Sequence, residues 1–534
     1  MLTLWLSWMS VQADVTNSEA AGPIIADLQA AAPGTLPVYR LWSPSRQCHL
    51  YTLDEAEKTK LSKQSKLWTY EGIAFQAFAF PAADGALPVY RFWSKKLRSY
   101  FYTLDTVERD LLRSQYRNLW KEEGIAFYAY AAAGNPVGTL PVHRFWSTGL
   151  SAHFYTMSDT ERFLLLSGYP EVWDYEMVAW YAYPPPTAAV PAFAKGPYVE
   201  QVTSTSARIL WQTTVASGSE VRYGVGTPEQ SAVCDPAFTT LHEVALTGLV
   251  PGIVYTYQAI SGSLSRTATF RTAPSAEQTL RFVVYGDSRS DVETHRQTIA
   301  GIIRSKPDVV FHTGDLVTSG RDYGNWDTEF FGPADELLGS IPLVPVLGNH
   351  EYAGTGPLWF FYFFDRPLNE GWFAATYGNT RFIGLDTNVG YTAGSPQYQW
   401  LVQELQSNSY RAATWHVMIF HSPPFTQAAG RSDDVVVQSQ LIPLFEQYGV
   451  DAVFCGHTHA YERYLYHGIQ YIVTGGGGAP LYEVPAATSL VRQFGVSTHH
   501  YCVVNVDPRA GTLSIAAVDL DGQTLDAVTL SQPR

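Results

Sequence analysis

Cysteine is nearly absent: Cys48, Cys234, Cys455 and Cys502 are all the chain has. They lie too far apart to form a disulfide framework, and Cys455, closing the apolar run Val450 to Phe454, reads as a small buried residue. Excess positive charge is absent as well. The formal net charge is −14, and an acidic surface repels phosphate backbones, so no nucleic acid partner is expected. A small phosphate ester stays open, because bound cations set the field around themselves. Long apolar runs are missing too, and no membrane span is expected. The N-terminal stretch Met1-Leu2-Thr3-Leu4-Trp5-Leu6-Ser7-Trp8-Met9 is apolar but short, without the positive start of a typical secretory leader. Val11-Gln12-Ala13 has the small-residue character of a cleavage site. Residues 1–30 are therefore read as a signal peptide and linker, and the protein as secreted or cell-surface.

What is abundant is aromatic. Of 534 residues, 46% are hydrophobic and 14% aromatic, enough for three or four domains with cores of their own. A repeat opens the chain. Leu36-Pro37-Val38-Tyr39-Arg40-Leu41-Trp42-Ser43 returns as Leu87-Pro88-Val89-Tyr90-Arg91-Phe92-Trp93-Ser94 and as Leu140-Pro141-Val142-His143-Arg144-Phe145-Trp146-Ser147. An aromatic strand follows each copy (His49 to Thr52, Tyr100 to Thr103, His153 to Thr156), then a short amphipathic helix, then a Trp and a closing strand. The first helix starts with capping-box spacing at Thr52-Leu53-Asp54-Glu55. Three units over residues 31–184 predict a closed pseudo-threefold module. It resembles an aromatic-rich triple repeat that accompanies enzymes in secreted bacterial proteins. Trp42, Trp93 and Trp146 are read as filling the core of each unit; the competing reading has exposed Trp and Tyr stacking on a glycan or cell wall.

The Pro-rich stretch Pro184 to Pro191 is a stiff linker. Residues 192–275 are β-rich, with alternating strands at Ala207 to Gln212 and Glu220 to Tyr223. The early Trp211, the turn Leu249-Val250-Pro251-Gly252 and the strand Tyr255-Thr256-Tyr257 resemble a fibronectin type III sandwich of the kind that precedes the catalytic domain in purple acid phosphatases. No catalytic constellation is visible there, and a scaffold role is expected.

From residue 278 to 534 strands alternate with helices. Five apolar strands each deliver acid–base or metal-binding side chains: Gly286-Asp287, Gly314-Asp315, Gly348-Asn349-His350-Glu351, His421, and Gly456-His457-Thr458-His459. In an open α/β sheet the loops at the carboxyl ends of the strands share one edge, so these residues can surround a common point. Two Asp, one Asn and three His suffice for two metal ions, and mixed oxygen and imidazole donors favour Fe, Mn or Zn. In this order the motifs resemble the calcineurin-like metallophosphoesterase superfamily. His459-Ala460-Tyr461-Glu462-Arg463 and the run Gly475-Gly476-Gly477-Gly478 resemble its purple acid phosphatase branch. That resemblance implies a two-sheet α/β sandwich flanked by helices.

It also implies roles. Asp315 would bridge two metals, with Asp287 and His459 on the first and Asn349, His421 and His457 on the second. A metal-bound hydroxide would attack phosphorus, with no side-chain nucleophile. His350 would protonate the leaving alkoxide and Glu351 would orient it. Two positions depart from the pattern. Thr318 stands where the purple branch has a ferric-binding Tyr, which predicts a colourless enzyme, and Arg289 stands where the wider superfamily has a His. His295, in the first turn of the helix after Asp287, is a candidate replacement ligand; the alternative is a packing or capping role. Arg289 is a candidate contact to the substrate phosphate; the alternative is a structural Arg. The reading is a hydrolase of phosphomonoesters, with a phosphodiesterase or nucleotide hydrolase on the same metals as runner-up. From another class comes a glycan-binding surface protein with a vestigial phosphatase.

Overall fold

The computed structural model describes residues 34–81, 85–131, 138–185, 191–229, 231–353, 356–364 and 371–531. The expected leader and most of the Pro-rich linker lie outside these residues.

Each N-terminal repeat is two antiparallel strands, a short helix and a closing strand. The first two copies share a six-stranded sheet, and the third forms a three-stranded sheet of Ala152–Thr156, Leu140–Ser147 and Asp174–Ala182. At the centre sit equivalent tyrosines. Tyr51 Oη donates to the Tyr155 carbonyl (2.7 Å), Tyr155 Oη to that of Tyr102 (2.8 Å) and Tyr102 Oη to that of Tyr51 (2.9 Å), closing a ring. Ion pairs close a second ring. Glu57 of the first helix pairs with Arg91 of the second copy (3.0 Å), Glu108 with Arg144 (3.0 Å) and Glu161 with Arg40 (2.8 Å). The tryptophans divide differently from expectation. Trp68, Trp120 and Trp173, which open the closing strands, fill the satellite cores. Trp42, Trp93 and Trp146 lie 4.5–4.7 Å from the rings of His49, Tyr100 and His153; Trp42 is buried as expected, whereas Trp93 and Trp146 are only half-buried. They stand on the same strand face as the central tyrosines but further out along each strand pair, Trp42 opposite His49, Trp93 opposite Tyr100 and Trp146 opposite His153.

The next five strands, Phe193–Glu200, Ser206–Gly224, Ser231–Thr247, Val254–Ser261 and Leu264–Arg271, form an antiparallel sheet around Ile209, Trp211, Leu246, Tyr257 and Phe270. Trp211 is fully buried, and its Nε1 donates to Ser261 Oγ (2.8 Å). This sheet docks on the C-terminal region through Tyr198 Oη to the Phe363 carbonyl (2.9 Å) and Tyr257 Oη to that of Gly339 (2.7 Å).

The C-terminal region holds two sheets face to face. The first runs in the order Leu343–Pro345, Val309–His312, Leu280–Tyr285, His500–Asp507, Thr512–Asp519, Thr524–Ser531, with its first three strands parallel. In the second, Thr380–Gly384, Trp415–Phe420, Ala452–Cys455 and Ile469–Thr474 run parallel at the centre. Alternation explains the packing. Phe282, Val284 and Phe311 point between the sheets against Phe382, Ile419 and Phe454; Phe282 and Phe382 are edge-to-face at 4.9 Å. Val283, Tyr285 and Val310 point the other way, onto the helix Val292–Ser305 with Ile299 and Ile302. Each such side chain contributes roughly 1.5–3 kcal/mol of burial, so the strand ends rest on a stiff base.

Candidate functional site

The parallel strands end on a common edge, and their loops converge there. Strand Leu280–Tyr285 leads into Asp287, Val309–His312 into Asp315, Trp415–Phe420 into His421, and Ala452–Cys455 into His457 and His459. Asp287, Asp315 and His457 all have positive φ, 57°, 59° and 66°. For non-glycine residues that region costs energy, and its recurrence in three adjoining loops marks a tightly constrained place. Close approach requires the neighbouring glycines. A Cβ on Gly348 would collide with the carboxylate of Asp315, and one on Gly477 would lie 2.5 Å from the Gly286 carbonyl. The glycine run at 475–478 thereby passes directly under the Asp287 loop, where Gly477 N donates to Gly286 O (2.9 Å) and Ala479 N to Asp287 O (2.8 Å).

Asp287, Asp315 and His421 are buried and bring one ligand atom each to within 4.8 Å of one another. His421 Nε2 is also 3.1 Å from Asn349 Oδ1, 3.2 Å from His457 Nδ1 and 3.4 Å from Asp315 Oδ1. On the other side of the cluster His459 Nε2 lies 3.5 Å from Asp287 Oδ1. The far nitrogens are fixed by carbonyls: His421 Nδ1 by Thr313 O (2.8 Å) and His459 Nδ1 by Pro480 O (2.7 Å). Each ring therefore presents Nε2 inward, the arrangement that metal-ligating histidines use. Oxygen and imidazole donors at this spacing fit a divalent or trivalent cation.

The electrostatics are those of a crowded polar cluster in an apolar shell. Burial alone would raise the Asp287 carboxyl, but the hydrogen bond from His459 and the imidazoles of His421 and His457 outweigh it and hold it below the ordinary range. Burial disfavours a charged His421, yet the Asp315 and Asp287 carboxylates prevail and raise its pKa. His457 is pushed down to about 4, by burial first and then by His421 and Arg431.

Arg289 reaches this cluster. Its Nε is 3.3 Å from Asp315 Oδ2 and one terminal nitrogen 3.4 Å from His459 Nε2. His350 is half-buried, with Nε2 facing Asp315 Oδ2 at 3.8 Å and Nδ1 donating to the Thr318 carbonyl at 2.6 Å.

Two expectations need correction. Glu351 does not orient His350. Its fully buried carboxylate accepts from the main-chain N–H groups of Gly348 (2.7 Å), Leu316 (2.8 Å) and Asp315 (2.9 Å), tying two motif loops together from beneath. Burial and the neighbouring Asp315 push its pKa up to about 7. The orienter of His350 is Thr318, through its backbone; Thr318 N in turn donates to Glu329 Oε2 (2.6 Å). His295 does not join the cluster. Nδ1 bonds the Glu329 carbonyl (2.8 Å), Nε2 the Tyr285 hydroxyl (3.3 Å), and the ring stacks on Phe330. Burial depresses it to about 4, as suits a neutral packing histidine. Tyr323, the tyrosine nearest Thr318 in the chain, points away from the cluster, taking a hydrogen bond from Lys195 Nζ (2.7 Å) and donating to Gln212 (2.6 Å).

Sequence reasoning passed over two groups at the edge. Asp386 follows strand Thr380–Gly384 and accepts from Tyr352 Oη (2.6 Å), the residue after Glu351. Its signal was the same one used for the other loops, an Asp just past an apolar strand. Arg431 donates to the His457 carbonyl (2.9 Å), and nothing in its local sequence points there.

Comparisons with known proteins agree with this geometry. Residues 280–461 match the calcineurin-like phosphoesterase family, and residues 24–130 and 116–193 match a domain of unknown function, DUF5648. The chain is 27% identical over 276 residues to probable inactive purple acid phosphatase 27 and 27% over 285 residues to purple acid phosphatase 15, both from Arabidopsis thaliana. These alignments cover 43% and 45% of this chain but only 44% and 53% of the relatives' own lengths. Human acid phosphatase type 7 is 26% identical over 397 residues, covering 61% of this chain and 88% of that protein. A purple acid phosphatase from yellow lupin seeds superposes with a TM-score of 0.55 at 21% identity, over 67% of this chain and 77% of that one, a likeness of fold. Residues 280–461 are thus a calcineurin-like phosphoesterase domain, and purple acid phosphatases are among the homologues of the chain that carries it.

Proposed function

We propose that the protein hydrolyses phosphomonoesters at a two-metal centre. One cation would be held by Asp287, Asp315 and His459, the other by Asp315, Asn349, His421 and His457. When bound, such a pair supplies an activated water and offsets charge on the phosphoryl group. The observation that carries this reading is the convergence of Asp287, Asp315 and His421 to within 4.8 Å, with Arg289 and His350 beside them. The chain's own residues do the rest. Arg289 offers parallel N–H donors that match the oxygens of a phosphate dianion. With Nδ1 fixed on Thr318, His350 presents Nε2 to the site, and in the imidazolium form that nitrogen can give its proton to a departing alkoxide. Asp315 keeps its position because Glu351 fixes its N–H from below. We place the catalytic region at 278–534, a fibronectin type III-like scaffold at 192–275 and the repeat module at 31–184.

The test is metal analysis with assays on an aryl phosphate and a bis-aryl phosphate. The metal-loaded chain should turn over the monoester faster, and His350→Ala should lower kcat by about 100-fold or more on a poorly departing alkyl phosphate while metal content is unchanged. Bound metal with no turnover of either ester overturns the reading.

A further inference from the structure

Thr318 decides where His350 points. Among the described residues His350 Nδ1 has one hydrogen-bond partner, the Thr318 carbonyl at 2.6 Å. A carbonyl only accepts, so Nδ1 carries a proton and Nε2 is left to face the cluster. The bond is at the short end for N–H···O, and the ring therefore follows that carbonyl. Two carboxylates hold the loop that carries it. Glu351 takes the N–H groups of Leu316 (2.8 Å) and Asp315 (2.9 Å) and lies 3.4 Å from that of Val317. The next N–H, that of Thr318, goes instead to Glu329 Oε2 at 2.6 Å. A carboxylate acceptor makes such a bond roughly twice as strong as a neutral one. Glu351 thus fixes the Asp315 end of the loop, and Glu329 fixes the residue that aims His350.

Glu329 is itself held firmly. It lies half-buried on a π-helical turn, Trp326–Phe331, at whose end Gly332 N bonds five residues back to the Asp327 carbonyl. Such wide turns recur at functional sites. Trp326, Phe330 and Phe331 anchor the turn in the core. The Glu329 carbonyl accepts from His295 Nδ1 (2.8 Å), which gives that packing histidine a task at one remove from the cluster. Asp327 of the same turn pairs with the buried Lys195 of the middle sheet at 2.5 Å, and the Lys195 ammonium lies 4.1 Å from the centroid of Tyr323 and 4.9 Å from that of Phe363. Glu329 Oε2 also lies 3.5 Å from the N–H of Ser290, the residue after Arg289, so the carboxylate sits between two of the motif loops. A group fixed in advance at this level holds its partner without an ordering cost at the moment of reaction.

Resting on the phosphatase reading above, we propose that Glu329 is a positioning residue for His350: it grips Thr318 so that the Thr318 carbonyl holds the imidazole with Nε2 toward the departing alkoxide. Among the described residues Glu329 makes no hydrogen bond to the proposed metal ligands. Its loss should therefore leave the metal pair in place and weaken the one step that needs the His350 proton. That step matters most for a leaving group that departs poorly as an anion, and least for an acidic phenol. The middle sheet, through Lys195 and Asp327, then supports the aim of His350 rather than standing apart from it.

The experiment uses the full metal-loaded chain with an alkyl phosphate and an aryl phosphate of an acidic phenol, for wild type, Glu329→Ala, Glu329→Gln, His350→Ala and the double Ala variant. Glu329→Ala should lower kcat on the alkyl phosphate by about tenfold or more, with KM and metal content within about twofold and the aryl phosphate within about threefold. Glu329→Gln, whose carbonyl still accepts from Thr318, should recover most of the loss. Adding Glu329→Ala to His350→Ala should cost less than about twofold more, because the imidazole it serves is gone. An equal loss on both esters, or a further loss of about tenfold in the double variant, overturns the assignment. Glu329→Leu, which keeps the volume, takes the place of the Ala variant if that chain does not fold. Wild-type turnover of the aryl phosphate tests the underlying reading separately. If no ester turns over, NMR of the metal-free chain decides. The downfield Nδ1 proton of His350, identified by its loss in His350→Ala, should disappear or move upfield in Glu329→Ala and persist in Glu329→Gln. No such proton in wild type, or one unchanged in Glu329→Ala, refutes the role.

Discussion

Replacing Glu351 by Ala would strand three buried N–H groups at once, those of Gly348, Asp315 and Leu316. An unpaired buried donor costs about 1–3 kcal/mol. We therefore expect Glu351→Ala to destabilise the chain by at least about 3 kcal/mol in urea unfolding and to lose bound metal. Glu351→Gln should be milder, because its carbonyl still accepts while its amide opposes one N–H. A Glu351→Ala variant of normal stability would show that the loops are held some other way. The same residue marks what sequence could not reveal. Glu351 and His350 are adjacent, so a shared task was the natural reading, but adjacent side chains in a turn leave in different directions. His350 turns to Thr318 while Glu351 turns under the loops. His295 fails for a related reason: it lies close to the site along the chain, but its helix face points into the core with Ile299 and Ile302.

The strand-and-loop element was legible because it recurs. An apolar strand, a glycine and then a ligand-type side chain appear at Asp287, Asp315 and His457, and each of those residues has the same left-handed backbone. Hydrophobic runs identify buried strands, and a parallel sheet gathers their ends on one edge. The contributions of Thr318, Glu329 and Arg431 were not legible, since they act through backbone carbonyls or across long loops. The shared conformation gives an element-scale prediction. An L residue held at positive φ costs about 1 kcal/mol relative to glycine. His457→Gly should therefore be more stable than His457→Ala by about that amount, measured by thermal unfolding of the metal-free proteins. Equal stabilities would mean that the loop relaxes once the imidazole is gone, and that the strain belongs to the ligand rather than to the turn.

At the scale of the whole molecule, the repeat module is joined to the C-terminal region by apolar packing. The third repeat's short helix Asp159–Phe163 continues into a wider turn, Leu164–Gly168. Leu164 is buried in the same cluster as Trp359, Phe360 and Tyr362, and Phe163 meets Tyr362 edge-to-face at 4.9 Å. Those aromatics belong to the helix Leu358–Phe363, which follows closely on Gly348-Asn349-His350-Glu351 in the chain. Asp159 adds a bond from Thr239 Oγ1 (2.8 Å), so the same helix also holds the middle sheet. The first two repeats lack this continuation: their helices, Glu55–Ser62 and Thr106–Ser114, bury no residue of their own. The third copy has thus been specialised by the change to Leu164-Leu165-Leu166, while the cyclic Arg–Glu pairs and the tyrosine ring keep the module's threefold plan. If that packing braces the segment carrying Gly348-Asn349-His350-Glu351, Leu164→Ala should cost about 2–4 kcal/mol, as cavities at buried leucines do. The loss should register in the C-terminal region, as earlier heat inactivation of the proposed activity and earlier release of bound metal. Leu111→Ala at an exposed position on the second repeat's helix should leave both unchanged. A Leu164→Ala protein that melts in its repeats while metal and activity persist to the wild-type temperature would show that the two parts are merely in contact. A coincident shift of all three signals would show that the repeat module is a structural part of the C-terminal region.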